Sequence, residues 1–279
     1  MQIVDTALAP FEQEHLDGAV RLSRQAGWPH RLEDWQMVLA LSEGVVAISD
    51  AGEVFGTILV TAYKADCATI NMVIVDETMR GRGLGRRLME AALKLAGNRP
   101  LRLIATADGL PLYEKLGFGE TGAVRQHQGV VQKIAPPDNT EMAGSDDIPA
   151  IIALDRTAFS ADRDALIGKL IEVGEFAVIR RDGKVAGFAA TRAFGRGEVI
   201  GPVVAPNLYD AKALVAHFLS RRPGKFLRVD TTVEAGLSIW LVEQNLAHVG
   251  GGIAMALPQI PRSAAPAVHT FALANQALG

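Results

Sequence analysis

The segment Arg80-Gly81-Arg82-Gly83-Leu84-Gly85-Arg86-Arg87 places three glycines and four arginines in eight positions, after the apolar run "MVIV" and ahead of the amphipathic run "LMEAALKLAG". A glycine inside a helix costs roughly 1 kcal/mol against alanine, so a chain that concentrates glycines there needs bare backbone. Between a strand and a helix, unobstructed N–H groups form an anion nest, and the helix dipole adds positive potential. Phosphate binding is the chemistry that such a loop suits. The nucleoside-triphosphate loop, G-x-x-x-x-G-K-[ST], fails because arginine stands where the lysine and hydroxyl belong. The dinucleotide pattern G-x-G-x-x-G fits poorly: Gly85 comes one residue early, and two helices and a hairpin, rather than a β-α-β unit, come first. What remains is R-x-x-G-x-G, filled by Arg80 to Gly85.

The elements that would position this loop can be read from periodicity. "DTALAPFEQEHLDGAVRLSRQAG" predicts a short strand and a helix, and "RLEDWQMVLALSEG" a second helix ending at Gly44. "GVVAISDAGEVFGTILVTAY" predicts two strands turning at Asp50-Ala51-Gly52, and "ATINMVIV" a third. Past the loop come the helix "LGRRLMEAALKLAG", the strand "LRLIAT", the short helix "GLPLYEKLG" and a final extended pair through "AVRQHQGVVQKI". Residues 135–144, "APPDNTEMAG", have linker composition.

The pattern then repeats. "EFAVIRRDGKVAGFAATRAF" aligns without a gap on the first hairpin, so that Gly52, Val54 and Gly56 meet Gly183, Val185 and Gly187. "EVIGPVVA", "NLYDAKALVAHFLS", "KFLRVDT" and "LSIWLVEQNLAHVGG" follow in the order of the first copy. A repeat of about 130 residues is too long for a solenoid and predicts a duplicated α/β domain.

Composition fits two domains. The chain has 279 residues, about half of them hydrophobic and 21% charged, with a net charge of −3, which excludes a strongly basic nucleic-acid binder. One cysteine, Cys67, excludes an intrachain disulfide and a Cys-based zinc site, and it reads as a small apolar filler. The acidic N-terminal stretch and the lack of an 18-residue apolar run predict a cytoplasmic protein without membrane partners.

With "MVIV" before it and "LPLYEKLGF" downstream, the Arg80–Gly85 loop resembles the GNAT superfamily of acyl-CoA-dependent N-acyltransferases, and the whole chain resembles two-domain bacterial members with a degenerate GNAT-like C-terminal domain. The resemblance implies an α/β (α+β) fold: tandem GNAT units, each a mixed, mostly antiparallel sheet flanked by helices. A catalytic domain over 1–134, a linker over 135–144 and a degenerate domain over 145–279 are expected, with the monomer acting as an internal pseudo-dimer.

It further implies that acetyl-CoA is the cosubstrate, with no metal. The backbone from Gly81 through Arg82, Gly83, Leu84, Gly85 and Arg86 would hold its pyrophosphate, aided by the side chains of Arg80, Arg82 and Arg86; Arg87 is expected to face solvent. The backbone of Val73, Ile74 and Val75 would pair with the pantetheine arm, an N–H near Val73 would stabilise the oxyanion, and Tyr113 would protonate the leaving thiolate. Many relatives carry a carboxylate base on the strand that here reads "ATINMVIV", where Asn71 and Met72 stand instead. His30, Asp66 and His127 are the remaining base candidates, beside deprotonation by bulk water. Trp28, His30, Trp35, Asn71 and His127 are the acceptor-side candidates.

In the second copy "VVAPNLYDAKAL" lacks the glycines, places Asp210 at the phosphate position, and sets Leu241 where Tyr113 falls. That copy is expected to bind no coenzyme. The expected activity is acetyl transfer to a primary amine of a small metabolite by direct attack in a ternary complex. A non-catalytic acyl-CoA sensor and a protein lysine or N-terminal acetyltransferase are the alternatives.

Overall fold

The computed structural model describes residues 6–258 and 266–279. The first repeat runs β1 (Ala7–Pro10), α1 (Leu16–Gln25), α2 (Leu32–Leu39), β2 (Glu43–Ile48), β3 (Val54–Tyr63), β4 (Cys67–Val75), α3 (Leu84–Ala96), β5 (Leu101–Ala105), α4 (Leu110–Lys115) and β6 (Gly119–Val130). The second runs β7 (Glu141–Met142), α5 (Ile148–Phe159), α6 (Asp164–Val173), β8 (Gly174–Arg181), β9 (Lys184–Phe194), β10 (Gly197–Ala205), α7 (Leu208–Ser220), β11 (Phe226–Thr232), α8 (Ser238–Glu243), β12 (Ala247–Leu257) and β13 (His269–Ala272). Apolar spacing explains the helices: α3 buries Leu84, Leu88, Met89, Ala92 and Ala96 on one face and leaves its arginines on the other.

All strands join one sheet in the order β1-β2-β3-β4-β5-β12-β6-β11-β13-β10-β9-β8-β7. Of its pairings, β4–β5 and β10–β11 are parallel and the others antiparallel. The two strands expected in "AVRQHQGVVQKI" are a single strand, β6, because its partners come from the other repeat. β6 pairs with β11 through Val229–His127 and with β12 through Ile253–Ala123, while β12 pairs with β5 through Met255–Leu103. Each repeat therefore donates its last long strand to the other's sheet.

Three cores follow from this exchange. On one sheet face α3 and α4 cover a core containing Leu88, Met89 and Phe118, and α7 and α8 cover a second with Leu214, Phe218 and Leu241. On the opposite face a single core runs across both repeats, from Phe11 and Trp35 to Phe176 and Phe188. Along its rim each repeat's hairpin grips the other's helix–helix loop. Lys64 at the β3–β4 turn pairs with Asp162 and Asp164 at 2.9 and 2.8 Å, and the Asp162 N–H donates to Asp66. Reciprocally, the Gly195 N–H of the β9–β10 turn donates to Asp34 at 2.9 Å. Gly195 has φ +54° and approaches so closely that a Cβ would lie 3.3 Å from the Pro29 carbonyl oxygen.

Candidate active site

β4 and β5 pair only at Ala68–Leu101 and Thr69–Arg102 and then separate, leaving a wedge between Met72–Val75 and Leu103–Ala105. On its other side β4 stays paired with β3 through Thr57–Ile74 and Gly56–Val75, and the Asp76 N–H donates to Phe55. Polar groups alternate along an antiparallel strand, so this pairing turns the backbone of Ile74 toward β3 and that of Val73 and Val75 into the wedge. Of the three residues expected along a pantetheine arm, two thus have main-chain groups available.

The glycine loop closes the wide end of the wedge. Asp76 caps the turn after β4, accepting from the Thr78 N–H at 3.0 Å and hydroxyl at 2.7 Å and pairing with Arg21 at 3.0 Å. Burial alone would raise its pKa, but the Thr78 and Arg21 bonds hold the carboxyl below the usual range. Gly81 and Gly83 have φ +74° and +81°, conformations that side chains disfavour, and a Cβ at either would meet nothing within 4 Å. The loop therefore borders open space at the N-terminus of α3. Gly85 brings that terminus close to its neighbours: a Cβ there would lie 3.4 Å from Leu112 and 3.8 Å from Val75.

Around the loop, Arg80 lies 3.4 Å from the Val75 carbonyl and Arg86 pairs with Glu90 at 3.4 Å. Arg82 is exposed. Arg87 is exposed, as expected, and also donates to the Thr6 carbonyl at 2.9 Å.

Tyr113 lies on α4 over Gly109, where a Cβ would come within 2.8 Å of its ring, and meets Phe118 edge-on at 6.2 Å. Burial pushes its phenol up to about 12, so it is un-ionised at neutral pH. Asn71 is buried on the opposite face of β4, donating to the Thr61 hydroxyl at 2.9 Å, while its Oδ1 has no partner among the described residues. Thr61 in turn contacts the Ser42 hydroxyl at 2.6 Å. The strand thus offers an amide acceptor where a carboxylate base was sought. Cys67 is buried, and burial raises its thiol pKa, as suits an apolar filler.

Trp28 and His30 form the loop between α1 and α2, their rings 5.5 Å apart and edge-on. The His30 imidazole contacts the Ser23 hydroxyl at 3.2 Å; burial first, then Arg228, lower its pKa to about 4. Trp35 and His127 are not brought to this loop's surface. Trp35 is fully buried, stacked on Phe11 at 5.7 Å, with its indole N–H donating to Ser23. His127 is fully buried between β11 and β12, bonded to the Leu246 carbonyl at 3.0 Å and the Ser238 hydroxyl at 2.8 Å. Both ring nitrogens are engaged and burial lowers its pKa, so a structural role accounts for it. The strand exchange carries it into the second repeat, which local pattern cannot reveal. Asp66 is likewise committed to the Asp162 backbone.

The second repeat has the same wedge. β10 and β11 pair at Glu198–Leu227 and Val199–Arg228 and then part, but β13 lies in the gap, pairing with β10 at Val203–Ala272 and β11 at Thr231–Ala272. The Leu273 N–H extends this to the Asp230 carbonyl at 2.8 Å. At the phosphate position Asn207 caps α7 by accepting from the Asp210 N–H, and the buried Asp210 pairs with Arg181 at 2.5 Å. Leu241 lies in the core. No sequence signal marked β13, because "HTFA" becomes a strand only where the wedge supplies partners.

Comparison with known proteins agrees with this geometry. Residues 3–118 match the acetyltransferase (GNAT) family and residues 151–265 the acetyltransferase (GNAT) domain. The chain is 29% identical over 287 residues to an uncharacterized N-acetyltransferase, YitH, of Bacillus subtilis, covering all of both chains. A structure from Pyrococcus horikoshii, provisionally assigned as an acetyltransferase, superposes with a TM-score of 0.82 at 15% identity, covering 100% of this chain and 98% of that one. A tandem GNAT protein of the clavulanic acid biosynthesis pathway superposes at 0.64 with 14% identity, over 90% of this chain and 98% of its own. The duplicated wedge, the glycine loop at the head of α3 and these matches lead to one assignment: the chain belongs to the GNAT acetyltransferase family, as two GNAT domains in tandem.

Proposed function

We propose that the first repeat binds acetyl-CoA and transfers its acetyl group to the primary amine of a small metabolite, by direct attack in a ternary complex. The observation that carries this reading is the contrast between two equivalent wedges: the one beside the glycine loop keeps a strand edge available, and the other is filled by β13. The residues present fit the cosubstrate. The amides of the 81–86 loop would take the pyrophosphate, and Arg80, Arg82 and Arg86 would add exposed charge pairing, each worth about 0.3–1 kcal/mol. The main-chain groups of Val73 and Val75 would pair with the pantetheine arm, and the Val73 N–H would face the developing oxyanion.

Bound acetyl-CoA supplies the activated thioester. Tyr113, neutral at physiological pH, gives its proton toward the leaving sulfur as the C–N bond forms and the C–S bond breaks; the product nitrogen loses its proton to solvent, and solvent returns a proton to the phenolate. With Asn71 in place of a carboxylate, the amine reaches its neutral form through water. The acceptor enters from the side of Trp28 and His30. A titration of the full chain with acetyl-CoA, followed by thiol release with an amine panel, tests this: binding without turnover of any amine would favour an acyl-CoA sensor.

A further inference from the structure

A charged cluster between the repeats has no place in the acetyl transfer as described. Arg192 on β9 and Arg228 on β11 flank Val199 in register, and their guanidinium carbons lie 4.9 and 5.1 Å from the centroid of Phe194. Arg228 is matched, with Nε and Nη2 each 2.9 Å from the Asp230 carboxylate. Arg192 is not. It is 4% exposed, and among the described residues its one side-chain hydrogen bond runs from Nη1 to the Ala193 carbonyl at 3.2 Å. The nearest carboxylate oxygen, on Asp34, is 3.7 Å away and already accepts from Arg31. Its Nε is buried with no hydrogen-bond partner among the described residues.

Arg31, partly exposed beside Glu33, engages Asp34 through two nitrogens, and Arg228 engages Asp230, so Arg192 is left without a carboxylate of its own. His30, edge-on to Phe194 at 5.7 Å, is kept neutral by burial and adds no charge. An unmatched buried cation is strongly unfavourable unless something completes it. The cluster also lies at the right place. Gln25, ending α1, accepts from the Glu77 N–H at 3.3 Å, which sets the following loop at the wide end of the first repeat's wedge. That loop carries His30 onto Phe194.

We propose that the acceptor amine bears a carboxylate, and that Arg192, with the free edge of Arg228, binds it. The proposal rests on the acetyl-transfer reading and deepens it: the first repeat holds the thioester and the second selects the acceptor. A guanidinium fork matches a carboxylate in shape, and a single uncommitted guanidinium matches a monoanion better than a phosphate dianion.

The test uses the full chain. Acetyl-CoA affinity is measured by calorimetry, and thiol release is then followed with α- to ε-amino acids, their neutral carboxamides and O-phosphoethanolamine. The acids are expected to exceed their amides by about tenfold or more in kcat/KM. Arg192→Met is expected to raise KM for the acids about tenfold, with no loss of acetyl-CoA affinity and no fall in Tm, because it removes an unmatched charge. Arg192→Lys, which keeps charge but lacks the fork, should recover only part of the preference. Equal use of acids and amides, preference for the amides or the phosphate amine, a preference that survives Arg192→Met, or a fall in Tm in that variant overturns the proposal. Failure to bind acetyl-CoA, or binding it without turnover of any amine, overturns instead the function on which it rests.

Discussion

The Thr57 hydroxyl donates a 2.8 Å hydrogen bond to the carbonyl of Met72, whose φ of +50° marks the point where β4 gains a residue on β3. Thr57 faces Ile74 and Leu59 faces Asn71, so Met72 and Val73 together oppose Ile58. This bulge sets the direction of the Val73 backbone at the wedge.

Thr57→Val keeps the volume and removes the donor. The buried Met72 carbonyl then lacks its partner, and stability falls by about 1–3 kcal/mol in urea unfolding. Acetyl-CoA affinity falls in the same variant, whereas Thr57→Ser retains both.

Gly83→Asp places a carboxylate in the anion nest. Asp tolerates positive φ better than most residues, and a Cβ there meets nothing, so the variant folds with a loss of about 1 kcal/mol or less. Acetyl-CoA binding, followed by calorimetry, is abolished.

Tyr113→Phe lowers kcat by about 100-fold and leaves acetyl-CoA affinity unchanged. The phenol is raised to about 12 by burial, so it stays protonated from neutral pH to pH 10. The wild-type rate therefore shows no decline from its ionisation across that range. A falling limb near pH 10 that Tyr113→Phe removes would contradict the assignment.

His30 is held neutral by burial, with its pKa lowered to about 4 against an ordinary 6.5. The unfolded chain binds the proton first, so this group's stability is present above pH 6.5 and is lost as pH falls toward 4. Urea unfolding should show about 1–2 kcal/mol less stability at pH 5 than at pH 7 from this site, a difference reduced in His30→Asn.

Much of this was legible from local pattern. The glycine loop, the hairpins and the helices were predictable because each depends on neighbours within a few residues, whereas Tyr113 and Val73 were named only through the family resemblance. The repeat also foretold the missing loop at Asp210. What escaped notice depends on partners far along the chain: β6 took β12 as a neighbour, which moved His127 into the other repeat. β13 exists because β10 and β11 part. Trp35 looked like an acceptor wall because an aromatic at a helix start has the same spacing whether it faces a ligand or Phe11. Arg192 and Arg228 read as ordinary strand arginines, and only the register of β9, β10 and β11 sets them together beside Phe194 and His30.

The unequal fate of the two wedges is tested most directly by the stoichiometry of acetyl-CoA in calorimetric titration of the full chain. One equivalent per chain is predicted for the wild type and none for Gly83→Asp. Two equivalents, or one that persists in Gly83→Asp, would contradict the account.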